Sequence, residues 1–209
     1  MALVRDFPLF PLRLVALPHE LIPLHIFEER YKTMFARCIE HEIEFGIVCV
    51  TDDGLRPIGC ACEIMEVIER FDDGRIHFVA RGTRPFRIEA EQDEMVYPAG
   101  TIEFLADRPE EVDPELLAGT QSAYADLVED ATDERPEDEA LARLDAYAMA
   151  STVEFGLEAK QGLLDLRSET ARLQLLARLL RAAVKRIEFM SGVSELAKSN
   201  GKVRFGPED

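Results

Sequence analysis

Phe7-Pro8-Leu9-Phe10-Pro11-Leu12, then Leu17-Pro18 and Leu21-Ile22-Pro23-Leu24-His25-Ile26-Phe27-Glu28-Glu29-Arg30-Tyr31, is the stretch on which the reading of this chain turns. It is apolar enough to be core, yet prolines at 8, 11, 18 and 23 break it at short intervals. A proline has no N–H to give to a strand ladder, so within sheets it is confined to edges, bulges and strand starts. The segment therefore predicts edge or crossover strands in a barrel-like sheet with interrupted edges. A helix follows at once over residues 28–40. Tyr31, Met34, Phe35, Cys38 and Ile39 fall at i, i+3, i+4, i+7 and i+8, which gives it one core-facing side, and its acidic first turn suits the helix dipole.

Downstream, short apolar runs parted by turn signals continue to about residue 106. Asp53-Gly54 and Asp73-Gly74 tolerate the positive φ of tight turns. The second makes the better hairpin: Cys60, Cys62, Ile64 and, after a slip in phase, Val67 alternate before it, and Ile76-His77-Phe78-Val79-Ala80 follows it. Over residues 107–139 the composition changes, with thirteen Asp or Glu against Arg108 and Arg135 and with prolines at 109, 114 and 136. This marks the boundary of a helical half. Asp113-Pro114 reads as N-cap and first residue of a helix through residues 116–128. A second helix is expected over 137–155, ended by Gly156, then a short segment over 160–166. The longest helix is capped by Ser168, with Leu173, Leu176, Leu180, Val184 and Ile187 stepping by three or four. The expected organisation is a β-rich unit over 1–108, a helical bundle over 109–200 and a flexible tail over 201–209.

Composition narrows the function classes. The chain has 209 residues, 47% of them hydrophobic, enough for a buried core. Its formal charge is −17 and acids outnumber bases on both sides of residue 108, which argues against a nucleic-acid partner. The start lacks the basic and apolar regions of a signal peptide, and no apolar run reaches membrane-spanning length, so a soluble, cytoplasmic protein without a membrane partner is expected. Cys38, Cys49, Cys60 and Cys62 sit inside apolar patterns, as free thiols in a reducing compartment do. Cys60-Ala61-Cys62 has no second Cys or His pair at zinc-ligand spacing, so no metal is expected.

Catalytic signatures are mostly missing. There is no phosphate loop, no Gly-x-Gly-x-x-Gly, no Gly-x-Ser-x-Gly and no His-Glu-x-x-His. Ser199-Asn200-Gly201-Lys202 spells Ser-x-x-Lys but lacks the motifs that complete such sites. His19, His41 and His77 have no Ser or Cys beside them in a recognisable arrangement, and His25, on its apolar stretch, reads as a structural histidine. The acidic residues 126–139 lack the spacing of a calcium loop and read as a solvated face. Neither an enzyme nor a cofactor is expected.

The proline-rich opening resembles that of the substrate-binding domain found at the N-terminus of Lon-type ATP-dependent proteases, also present in cereblon and in stand-alone bacterial proteins. Phe45-Gly46-Ile47-Val48, Gly59-Cys60-Ala61-Cys62-Glu63-Ile64 and Arg81-Gly82-Thr83-Arg84-Pro85-Phe86-Arg87-Ile88 resemble its later strands, although Pro85 departs from the usual Arg-Phe pairing. Lys160-Gln161-Gly162-Leu163-Leu164 and Arg172-Leu173 resemble its closing helices, so the likeness spans residues 7–189. The resemblance implies an α+β fold: an N-terminal PUA-like pseudobarrel with one helix, followed by a C-terminal helical bundle. It also implies a non-catalytic module that recognises unfolded protein or peptide segments, without the ATPase and Ser-Lys protease domains. The structural reading of residues 23–31 is that Leu24, Ile26 and Phe27 pack the subdomain while Glu28 and Arg30 tie it down. The functional reading is a groove for an extended peptide at Pro23, Leu24, His25, Phe27, Arg30, Tyr31, Arg81, Arg84 and Phe86. Alternatives are an adaptor docking a dedicated folded partner, a protease included, and a small-ligand-binding protein or hydrolase. The oligomeric state is open, a homodimer included.

Overall fold

A computed structural model of the chain describes residues 3–92 and 94–200, with side chains as far as Arg186. Its first half runs β1 (Leu3–Leu12), β2 (Leu21–Ile26), α1 (Glu29–Glu40), β3 (Phe45–Thr51), β4 (Gly54–Leu55), β5 (Ile58–Arg70), β6 (Ile76–Gln92) and β7 (Ala99–Phe104). The ladder order β1-β7-β6-β5-β3 is closed by a parallel pairing of β3 with β1, which makes a barrel. β4 extends β3, and β2 lies along β6.

The expectation of edge or crossover strands divides between β1 and β2. β1 has partners on both sides, but in succession: β7 pairs with residues 3–8 and β3 with residues 9–12. Among the described residues each half of β1 thus has an unpaired side, so Pro8 and Pro11 are accommodated within a strand of the barrel wall. Pro23 does sit on an edge strand, since β2 pairs only with β6 among the described residues.

β6 also changes partner. Residues 76–81 pair with β2, and residues 86–92 with β7. At the change the 13–20 segment crosses β6. Gly82 N donates to Glu20 O, and Gly82 O accepts from His19 N. A Cβ on Gly82 would stand 2.0 Å from the Leu17 carbonyl oxygen, so only glycine lets the two backbones approach this closely.

Inside the barrel Phe7, Leu9, Val48, Ala61, Phe86 and Ile102 form a small closed core. A larger core lies under α1, where Phe10, Phe35, Phe45 and Phe78 meet edge to face or tilted at ring distances of 4.8–6.5 Å. It continues without a break into Leu163, Leu173, Leu176 and Leu180 of the helical half.

That half comprises α2 (Pro114–Thr132), α3 (Asp138–Leu141), α4 (Ala146–Ala150), α5 (Leu157–Asp165) and α6 (Glu169–Asn200). Asp113 caps α2 by accepting from Glu115 N, with Pro114 as the first helical residue. Ser168 Oγ accepts from Ala171 N at the start of α6. The single helix expected over 137–155 is two short ones. Asp145 breaks it by accepting from Ala148 N at 2.7 Å, which starts α4 afresh, and Gly156 is the N-cap of α5 rather than a terminator. The residues 201–209 expected as a tail lie outside the described residues, as do Lys202 of the Ser-x-x-Lys match and the side chain of Ile187.

Polar ties join the helices to the barrel. Lys160 pairs with Glu20 in the crossing segment, and Gln161 Nε2 donates to Ile58 O. Arg56 grips Glu158 through both carboxylate oxygens, and Arg172, 2% exposed, pairs with Asp107 and Glu169. Lys160, Gln161 and Arg172, which in the sequence carry the likeness to the closing helices, are therefore the residues that clamp this half in place.

Candidate functional site

Alternation sorts β2 into two faces. Ile22 and Ile26 are buried and Leu24 is half-buried against the core, whereas Leu21, Pro23 and His25 are exposed. Register places Leu21 opposite Arg81, Pro23 opposite Val79 and His25 opposite His77, and directly opposed residues share a face. The outer surface of β2 and β6 is thus apolar and aromatic. Leu21 is 61% and Phe27 60% exposed. Phe27 stacks on His25 with ring centres 5.7 Å apart, His25 meets His77 at 4.2 Å, and Phe71 meets His77 at 5.1 Å. Arg81 is held by Glu63, and Ile68, 60% exposed, lies in a bulged stretch of β5 beside them.

Of the nine residues predicted for the groove, Pro23, His25, Phe27 and Arg81 gather here. The rest do not. Phe86 is 0% exposed in the barrel core, its ring 2.4 Å from where a Cβ on Gly46 would stand, so it touches no ligand. Tyr31 is buried against Phe10 at 4.6 Å, and burial pushes its hydroxyl pKa up. Leu24 faces inward, opposite Phe78. Arg30 pairs with Glu28 and borders a cavity with Leu9, Pro11 and Tyr97, away from β2. Arg84 lies beyond Gly82, where β6 has left β2, held by Glu44 and lying over the Phe104 ring. Two inward readings are corrected as well: His25 is exposed rather than an interior structural residue, and Phe27 points out. Leu21, Val79 and His77 were missed, although the alternation of Leu21, Pro23 and His25 against Ile22, Leu24 and Ile26 signals an outer face.

A second surface lies in the helical half. Tyr124, Leu127 and Val128 of α2, Val153 and Phe155 of the loop between α4 and α5, and Leu179 and Ala183 of α6 border an open groove of about 1030 Å³.

Several titratable groups with shifted pKa values lie where the two halves meet. At the junction of the two halves the Arg172 hydrogen bond holds the Asp107 carboxyl low, while burial pushes Tyr147 up. Burial opposes the Arg172 charge, but its bonds to Asp107 and Glu169 outweigh that and raise its pKa. Each moves away from neutrality. Cys38, at the rim of a cavity between α1 and β5, is pushed up to about 12 by burial, which keeps the thiol protonated. Among the described residues no group of three His, Cys, Asp or Glu is placed to hold a metal ion, and no helix is long and apolar enough to cross a membrane.

The fold is that of solved Lon N-terminal domains. A Lon N-terminal domain protein from Xanthomonas campestris is 23% identical with a TM-score of 0.63, over 84% of this chain and 97% of that one. The N-terminal domain of the Mycobacterium avium complex Lon protease is 21% identical with a TM-score of 0.60, again over 84% and 97%. The family model of the ATP-dependent protease La (LON) substrate-binding domain matches residues 6–182, from the first proline-broken strand through the helices clamped by Lys160 and Arg172, and the chain belongs to that family.

Proposed function

We propose that the chain is a non-catalytic recognition module that holds extended segments of unfolded polypeptide against the outer face of β2 and β6. One observation carries this reading: Leu21, Pro23 and His25 stand exposed in alternation along β2, with Phe27 exposed just past its end, and the far edge of that strand is unpaired among the described residues. Unfolded chains present apolar side chains at the same two-residue period, and an edge strand offers main-chain groups beside them. Pro23 removes one donor from β2, so side-chain contacts outweigh backbone pairing, and a client loses entropy on ordering, which keeps affinity modest. Four arginines of the barrel half, Arg56, Arg75, Arg81 and Arg84, are each paired with a carboxylate, which with the net charge of −17 disfavours nucleic acid as the client.

The test is fluorescence anisotropy of the labelled protein titrated with a reduced, permanently unfolded polypeptide and, in parallel, with its folded form. Saturable binding to the unfolded form alone is expected, weakened about thirtyfold in a Leu21→Ser/Phe27→Ser variant, as the loss of two apolar contacts of about 1 kcal/mol each implies. Binding to neither form sinks this reading. The alternative, docking of a dedicated folded partner, is favoured by the apolar groove between α2 and α6. It predicts a stoichiometric complex weakened by Leu179→Asp rather than by the β2 changes.

A further inference from the structure

His25 and His77 are far apart in sequence, but the β2–β6 register sets them directly opposite each other on the exposed face. Their ring centres are 4.2 Å apart at an interplanar angle of 74°. Each ring is also steadied from its other side, His25 by Phe27 and His77 by Phe71. Glu69 is the register partner of His77 across the β5–β6 pair, and its Oε2 lies 3.9 Å from His77 Nδ1. A carboxylate facing one ring nitrogen is the arrangement that orients the other nitrogen toward a metal ion. Arg75, whose guanidinium lies over the Phe71 ring beside His77, is paired with Asp73, and Arg81, further along β6, with Glu63.

We propose that His25 and His77 form an exposed cross-strand chelate for one borderline divalent cation such as Zn²⁺ or Ni²⁺, with Glu69 orienting His77. An ion bonded to both imidazoles at about 2.1 Å needs ring centres roughly 5 Å apart, a separation that small side-chain rotations supply from 4.2 Å. Two nitrogen ligands select imidazole-preferring ions over Mg²⁺ or Ca²⁺, which take oxygen. The remaining coordination positions face solvent, so the ion exchanges readily and carries water there. The proposal stands apart from client binding, since it needs only the two rings and the register.

The full-length chain is titrated calorimetrically with ZnCl₂, NiCl₂ and MgCl₂, while histidine C–H signals are followed by NMR on Ni²⁺ addition. One Zn²⁺ or Ni²⁺ per chain is expected, with affinity falling at least tenfold in His25→Ala and equally in His77→Ala, and several-fold in Glu69→Gln. Paramagnetic Ni²⁺ should broaden the His25 and His77 signals before those of His19 and His41. Unchanged circular dichroism establishes that the surface variants fold, and His77→Gln serves if His77→Ala does not. The chelate is overturned by no saturable binding below 1 mM metal, by affinity that depends on one histidine alone, or by Mg²⁺ binding as well as Zn²⁺, which would place the ion on the acidic surface.

Discussion

Single residues in this protein divide sharply between those that hold the fold and those free to touch something else. Phe86 belongs to the first kind: its ring fills space that exists because residues 46 and 59 are glycines, where a Cβ would stand 2.4 and 2.8 Å from it. From sequence, an aromatic beside Arg84 and Pro85 reads equally well as a surface anchor, because a single residue carries no sign of which face it takes. Asp107 also serves the fold, where the chain passes from barrel to helices. Arg172 holds its carboxyl below the usual value of about 3.9, so the folded state binds this proton less readily than the unfolded one. Its stabilisation is therefore complete above the unfolded value and is lost as pH falls through the lower folded value. Asp107→Asn should lower stability by about 1–2 kcal/mol at pH 7, Arg172 keeping Glu169, and the gap to the native protein should narrow as urea melts are carried below pH 4.

At the level of elements, strand partnering decides what each segment can do. β1 and β6 each exchange one partner for another midway, which lets a strand with prolines stand in a barrel wall and leaves β2 as an edge. The bulges after Ile64 and Val67 in β5 account for the slip of phase visible in its sequence. The two faces of β2 give a sharp contrast. Leu21→Ser should leave the melting temperature within about 1 °C, because the side chain is already 61% exposed, whereas Ile22→Ser, one residue along, should cost about 2–4 kcal/mol. Thermal and urea denaturation of the two variants, side by side, checks the register on which the proposed client surface depends. The short helices α3 and α4 show the opposite situation: helical periodicity runs through residues 137–155, but Asp145 and the Glu169 carboxylate, which accepts from Ala146 N, take the backbone donors of a new helix start.

At the scale of the whole molecule, the larger core runs on from the barrel into the helices, with a polar clamp across it. Lys160 and Glu20 lie together with side chains only 9% and 17% exposed, and Glu20 also accepts from Leu17 N. Removing one member of such a pair strands the other, so Lys160→Met should cost about 3 kcal/mol. It should also loosen the helices before the barrel, seen as hydrogen exchange that rises in α5 and α6 ahead of β5 and β6. Much of this organisation was legible beforehand. The proline-broken apolar opening, the periodicity of α1, α2 and α6 and the Asp73-Gly74 hairpin pointed to a barrel-like sheet before a bundle, and the resemblance of the opening and later motifs to a known family implied the rest of the α+β fold. These features are local: each depends on the period of a few neighbouring residues or on the φ that proline and glycine allow. Which side chains share a surface is not local. Pro23, His25, Phe27 and Arg81 meet, and Phe86, Tyr31 and Arg84 do not, because pairing register and the crossing at Gly82 set their positions. Only the closed barrel brings His77 opposite His25 and buries the ring of Phe86, since contacts between distant residues follow from ladder register and close packing, and no window of sequence contains them.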